Sequence, residues 1–279
     1  NILLDIFYSN WWCDPAQNWA PSEWYDQDIN TLTNTVYDYT RDVLNQMQSA
    51  GVLPDMVQVG NEVNSGMLWN QGRIENNGWG NFVSLTNSGY DAVKSVSDIP
   101  VIIHYAGVGN EAISWYSNYT NNGGKMDAIG MSFYEAWHGS INDAVSSINT
   151  LYSNYSKPVF LVETAAYWRA SEAGEHTSYP HTKQGQYDFI YDLTNAVKNL
   201  NGFSGLFYWG ATWTRSDDWL SAPDWGDDDA ATRSLFDDNA QATPAIKAMK
   251  DAGGLTIQGV DVSEAHNIEA NGVTYQDLN

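Results

Sequence analysis

Met56-Val57-Gln58-Val59-Gly60-Asn61-Glu62 is an apolar run of strand length that stops on a glycine, an amide and a carboxylate. The same shape recurs at Val159-Phe160-Leu161-Val162-Glu163-Thr164. Further short apolar runs cover Ile2 to Tyr8, Val101 to Tyr105, Ala128 to Phe133, Gly205 to Trp209 and Leu255 to Val262. Between the runs lie amphipathic stretches with helical spacing: Thr31 to Ala50, Gly80 to Val96, Ile141 to Tyr152, Thr182 to Leu200 and Ala242 to Asp251. Strand followed by helix, repeated along a chain, predicts a parallel sheet with crossover helices.

The runs are nearly continuous in apolar residues, as strands covered on both faces are, and several pass straight into Asp, Glu, His, Tyr or Trp. A closed (β/α)8 TIM-type barrel builds its site from strand C-termini and the loops that follow, so this α/β class is the reading adopted. An open doubly wound sheet is the competing architecture. It is disfavoured because no Gly-rich phosphate loop follows any strand.

Composition narrows the function. With 12 Lys+Arg against 34 Asp+Glu the net charge is -22, which repels a phosphate backbone or an anionic lipid surface. Neither nucleic acid nor membrane is expected as a partner, and no apolar stretch has the length of a membrane span. Aromatic residues make up 14% of the chain, with 13 Trp and 17 Tyr. Their flat faces suit sugar rings while their polar tips stay free to hydrogen-bond, although about half are expected to be core. The single cysteine, Cys13, excludes an internal disulfide and is expected to pack as a small apolar residue.

Glu62 and Glu163 each follow an apolar strand directly, at equivalent positions. Glycoside hydrolysis needs such a pair. One carboxyl is protonated to assist the leaving oxygen, and the other is ionised to attack the anomeric carbon, with about 5 Å between them for retention. Burial and mutual repulsion would separate their proton affinities. Asp5, Tyr8, Trp12, His104 and Asp261 lie at strand ends or just beyond and are candidate substrate contacts. For His104 a purely structural role is the alternative.

The segments Leu3-Leu4-Asp5-Ile6-Phe7-Tyr8-Ser9-Asn10-Trp11-Trp12-Cys13-Asp14-Pro15 and Val57-Gln58-Val59-Gly60-Asn61-Glu62 resemble the arabinogalactan endo-β-1,4-galactanases of glycoside hydrolase family 53, in clan A. Ile102-Ile103-His104-Tyr105-Ala106, Gly130-Met131-Ser132-Phe133-Tyr134, Leu161-Val162-Glu163-Thr164-Ala165 and Gly205-Leu206-Phe207-Tyr208-Trp209 extend the resemblance over nearly the whole chain. The resemblance implies Glu62 as acid/base and Glu163 as nucleophile. It also implies Asn61 as a partner of the sugar 2-hydroxyl, Tyr134 as the residue orienting Glu163, and Trp209 as the floor of the cleavage subsite.

The resemblance also implies a permuted order. The family's first strand resembles Gly259-Val260-Asp261-Val262-Ser263, here near the end of the chain, and no segment resembles strand two. One barrel domain is expected over 1–279, with strands three to eight in 1–251 and strand one in 252–279. Three explanations stay open for strand two: the native chain continues beyond this sequence, which is preferred, another chain supplies the strand, or the barrel is incomplete. The clan's strand-two arginine, which supports the nucleophile, has no assignable counterpart. Phe7 and Asn10 stand where family members usually have His and Asp, which bears on the choice of polymer.

The expectation is a retaining endo-β-1,4-galactanase acting on pectic galactan by double displacement, secreted and monomeric, with no cofactor required. Another clan A activity, on mannan or xylan, and a carbohydrate-binding barrel without catalysis are the competing readings. Asp217, Asp218, Asp224, Asp227, Asp228 and Asp229 offer oxygen ligands of the kind calcium prefers, but without EF-hand spacing, and a solvated acidic loop is the preferred reading. Bacterial members hold calcium around the loop after strand seven. The corresponding segment here, Ser171 to Tyr179, is short and poor in Asp, so no metal ligand is assigned and calcium stays open as a structural ion.

Overall fold

A computed structural model describes residues 2–170, 177–214, 228–263, 265–270 and 273–278. The chain divides into two compact units, Asn1–Ser132 with Ser153–Val159, and Phe133–Tyr152 with Phe160–Asn279.

The first unit runs β1 (Leu3–Ile6), α1 (Ile29–Ser49), β2 (Met56–Val59), α2 (Ile74–Val96), β3 (Val101–Ala106), α3 (Gly109–Asn121) and β4 (Ala128–Ser132). All four strands pair in parallel, in registers that set Asp5 beside Gln58, Gln58 beside Ile102 and Ala106 beside Ser132. Residues that close one strand therefore meet those that close the next. β2, β3 and β4 are buried along their whole length, as expected of strands covered on both faces.

The Asp28 side chain starts α1 by accepting from the amides of Asn30 and Thr31, which have no partner inside the helix. Leu32, Val36, Thr40 and Leu44, each four residues after the last, form the buried face of α1. α2 begins six residues before the sequence pattern suggests, because Gly78 at φ +72° kinks an opening turn onto the main helix. The sequence does not announce α3. Its buried face is aromatic, with Trp115 and Tyr119 stacked 5.5 Å apart and Phe82 of α2 edge-on to Trp115. Burying each such ring contributes about 1.5–3 kcal/mol, enough to hold a helix whose sequence favours one weakly. Many of the chain's aromatics are thus core rather than sugar platforms.

The second unit comprises α4 (Glu135–His138), α5 (Ile141–Tyr155), β5 (Val159–Thr164), α6 (Lys183–Val197), β6 (Phe203–Tyr208), α7 (Asp228–Arg233), α8 (Ala248–Asp251), β7 (Ile257–Val260) and α9 (Ala265–Ala270). The last turn of α5 and Val159 fall within the first unit's boundaries. β6 pairs in parallel with β7, from Gly205 with Ile257 to Tyr208 with Val260. β7 alternates between half-buried and exposed residues, unlike β5. Covering on both faces therefore does not extend to β7. The expected helix over Ala242 to Asp251 is a 3-10 turn at Pro244–Lys247 that leads into α8, since Pro244 supplies no amide hydrogen.

Candidate active site

In the first unit, Gly60 turns the chain at the end of β2 with φ +79°, where a Cβ would lie 2.7 Å from Val63 Cγ1. Two residues on, Glu62 itself has φ +44°, a left-handed conformation that non-glycine residues rarely adopt. The end of β3 holds this turn. The Val63 amide donates to the carbonyl of His104 at 3.0 Å, and the Asn64 side chain exchanges two hydrogen bonds of 2.8 Å with the Ala106 backbone. Local strain is thus offset by the next strand, and the carboxylate of Glu62 is fixed at the strand's C-terminal end.

Ser132, the last residue of β4, lies with its hydroxyl 2.5 Å from Glu62 Oε1. The same hydroxyl is 2.8 Å from His104 Nε2. His104 Nδ1 lies 3.0 Å from Asn61 Oδ1, and Asn61 Nδ2 donates to the Cys13 carbonyl at 2.8 Å. These polar side chains are almost wholly shielded from solvent, with His104 1% and Ser132 0% exposed.

Four of the expected contacts are changed by this arrangement. His104 is too deeply buried to serve as a substrate contact and stands behind Glu62 instead. Asn61 has both ends of its amide engaged, with Oδ1 also accepting from Gln58 at 3.3 Å, so one Nδ2 hydrogen remains for a ligand. Tyr8 belongs to the core. Its φ of +56° breaks the strand alternation, and its hydroxyl shares a 2.7 Å hydrogen bond with Thr40 of α1. Burial pushes the Tyr8 phenol far above its ordinary range. Tyr8→Phe is expected to lower stability by about 1 kcal/mol, the scale of one buried hydrogen bond, and to leave activity unchanged. Thermal melts with parallel activity assays check this, and a loss of activity without a loss of stability would contradict it. Asp5 is half-buried in β1, and Trp12 packs edge-on to Phe7 with ring centroids 6.0 Å apart. Cys13 is buried, and burial pushes its thiol up to about 12, so it packs as an inert apolar side chain.

In the second unit, Glu163 closes β5 beside Phe133-Tyr134. The Phe133 amide donates to the Glu163 carbonyl at 2.8 Å and the Thr164 hydroxyl to the Phe133 carbonyl at 2.6 Å. Tyr134 is thereby placed to donate its own hydroxyl to Glu163 Oε1 at 2.6 Å. Trp209 follows β6, its amide donating to the Thr164 carbonyl at 2.9 Å. The indole packs at 4.8 Å from Trp213. Over it sits the guanidinium of Arg233, 4.6 Å from the ring centroid and 5.4 to 5.7 Å from the rings of Trp137, Tyr134 and Tyr167. Asp261 is the fourth change. Its Oδ1 accepts from the Ser263 amide and hydroxyl and its Oδ2 from the Gly210 amide at 3.3 Å, so its carboxylate caps the turn after β7. The side chains of the acidic cluster Asp217, Asp218, Asp224, Asp227, Asp228 and Asp229, and residues 171–176, lie outside the described residues.

Each unit thus presents a strand-end glutamate hydrogen-bonded to a hydroxyl, that of Ser132 in the first unit and that of Tyr134 in the second. Comparison with known proteins agrees with that chemistry. The model of glycosyl hydrolase family 53 matches residues 1–249. The chain belongs to glycosyl hydrolase family 53. Among solved structures, the GH53 catalytic domain of Ignisphaera aggregans shares 34% identity with a TM-score of 0.81, covering 89% of this chain and 72% of that one. A fungal β-1,4-galactanase structure shares 29% identity with a TM-score of 0.74, covering 88% and 76%. An arabinogalactan endo-β-1,4-galactanase of Thermothelomyces thermophilus is 29% identical over 267 residues, 89% of this chain and 77% of its own. This family 53 glycoside hydrolase has the α/β fold of the (β/α)8 TIM-type class, and no described helix is long and apolar enough to cross a membrane.

Two residues of the site escaped sequence reasoning. Ser132 gave a usable signal, since it ends an apolar strand in the same way as His104 and Glu163. Arg233 gave none, because its helix follows no strand pattern and its aromatic surroundings come from three separated segments.

Proposed function

We propose that this family 53 enzyme is a retaining endo-β-1,4-galactanase in which Glu62 is the acid/base and Glu163 the nucleophile. The observation that carries the reading is the second unit's hydrogen bond from Tyr134 to Glu163 at 2.6 Å. A phenol donor on Oε1 fixes the rotamer of the carboxylate that this reading makes the nucleophile. Similarity to proteins named as arabinogalactan endo-β-1,4-galactanases supports the choice of galactan.

In this reading Glu62 gives its proton to the glycosidic oxygen as Glu163 attacks the anomeric carbon, forming a glycosyl-enzyme. Glu62 then removes a proton from water, which releases the sugar with its original configuration. Trp209, beneath Arg233, is the floor on which the sugar rests in this reading. The Arg233 cation lies beside Tyr134 and Trp209. Tyr134→Phe is expected to lower kcat about 10- to 100-fold with little change in KM, since a charge-assisted hydrogen bond contributes about 1.5–3 kcal/mol. Steady-state kinetics on galactan check this, and an unchanged kcat would remove Tyr134 from the mechanism.

The proposal includes one catalytic domain over 1–279, acting as an extracellular monomer on the galactan of pectin without a required cofactor. It also includes the permuted order, with β7 as the family's first strand. Reducing-sugar release across purified galactan, mannan and xylan tests the function. Release of oligosaccharides from galactan alone is expected. Activity on another polymer with none on galactan would replace the substrate, and binding without turnover would replace the enzyme reading.

A further inference from the structure

The long loop between β1 and α1 is tied at two points to Asn61, the residue before Glu62. Asn61 Nδ2 donates to the Cys13 carbonyl at 2.8 Å, and Asn18 Nδ2 donates to the Asn61 carbonyl at 3.4 Å. Between the ties Asp14 and Gln17 exchange backbone hydrogen bonds of 2.9 and 3.0 Å, and Asp14 Oδ1 accepts from the Ala16 amide at 2.7 Å, which closes a tight turn. Cys13 and Asn18 are buried, but the tryptophans just outside the two ties are not. Trp11 is 70% exposed and Trp19 37%. At most about 7 Å of chain separates Trp11 from Cys13, and about 4 Å separates Trp19 from Asn18.

Both tryptophans are held in place. The Trp11 amide donates to the Ser9 hydroxyl at 3.1 Å, and its carbonyl accepts from the Cys13 thiol at 3.7 Å. Around Trp19, the Trp69 amide donates to the Asn18 carbonyl at 2.8 Å and the Ala20 amide to the Trp69 carbonyl at 3.0 Å. The Trp19 indole packs edge-to-face with Trp69, ring centroids 5.2 Å apart, a contact that covers at most one face of Trp19. Trp69 is itself fixed, with its Nε1 donating to the Gly66 carbonyl at 3.3 Å and the Arg73 guanidinium 4.3 Å from its ring. Apolar area left in water contributes nothing to folding, so core packing does not account for the exposed part of either indole.

We infer that Trp11 and Trp19 are outer sugar platforms, each stacking on a unit of the polysaccharide beyond the two joined by the cleaved bond. An indole offers a flat apolar face to the C–H face of a sugar ring and a polar N–H at its edge. Because the loop is already ordered, little conformational freedom is lost when sugar binds. Both ties end on the neighbour of Glu62, so the platforms continue the first unit's part of the site. The occupant is an uncharged chain, which meets no repulsion from a net charge of -22. The inference rests on the galactanase reading and names further binding residues within it.

The test compares wild type with Trp11→Ala, Trp19→Ala and Trp19→Phe, each first shown to melt cooperatively, on galactan and on an aryl galactobioside. In each alanine variant KM for galactan is expected to rise about tenfold, the scale of losing one aromatic anchor, with little change in kcat. KM for the galactobioside, too short to reach an outer platform, is expected to rise far less. Trp19→Phe keeps a ring and is expected to retain most of the affinity for galactan. An unchanged KM for galactan in both alanine variants would overturn the inference. So would equal rises on the two substrates, which would mean that the loop acts only by holding Asn61. A wild type inactive on galactan would instead overturn the galactanase reading, whereas a wild type active on galactan with unmoved variants sinks the platforms alone.

Discussion

Glu163→Ala is expected to lower kcat on galactan by a factor on the order of 10⁴ or more, the scale on which loss of a covalent nucleophile is felt. Tyr134 does not replace it, because its hydroxyl is placed to donate to Glu163 rather than to attack, and an indole is not a nucleophile toward the anomeric carbon. The shortened side chain leaves room for a small anion on the same face of the sugar. Azide is therefore expected to restore turnover on a substrate with an activated leaving group and to give a galactosyl azide of inverted configuration. Product NMR reads the configuration directly. Near-normal turnover in Glu163→Ala without azide would remove Glu163 from the chemistry.

Glu62→Ala is expected to produce a different pattern. Loss of general acid catalysis costs about 10²–10⁴-fold where the leaving group needs a proton, so galactan hydrolysis falls by that factor. An aryl galactoside that leaves unaided is affected far less in its first step, and its glycosyl-enzyme then accumulates because no base activates water. A burst of aryl alcohol followed by a slow steady state is the expected trace. Equal losses on galactan and on the activated substrate would contradict the assignment, because they would place Glu62 in binding rather than proton transfer.

The parts of the fold that were legible in the sequence are those where burial is uniform. β2, β3, β4 and β5 are continuous apolar runs because nearly every side chain in them is covered, and their ends could be read to within two residues. Where structure depends on neighbours, the reading failed. α3 carries Ser, Asn, Thr and Tyr throughout, which favour a helix weakly, and its packing of Trp115, Tyr116 and Tyr119 decides the matter. Glu62 and Glu163 stood out because each follows an apolar strand, and Tyr134 and Trp209 through the resemblance to family 53. Tyr8 shared that position, but a left-handed φ turned its ring toward α1. Ser132 is too small and too common for its type to attract notice. Its meaning comes from the register that sets Ala106 beside Ser132 and so brings His104 within reach.

The central claim is that Glu163 becomes covalently bound to sugar during turnover. A fluorinated galactosyl substrate with a good leaving group slows breakdown of that intermediate more than its formation, so the adduct can be trapped. After brief exposure, digestion and mass spectrometry are expected to place one glycosyl unit on the peptide containing Leu161-Val162-Glu163-Thr164, with fragmentation locating it on Glu163. A label on another residue, or galactan turnover that releases inverted product with no adduct, would contradict the account.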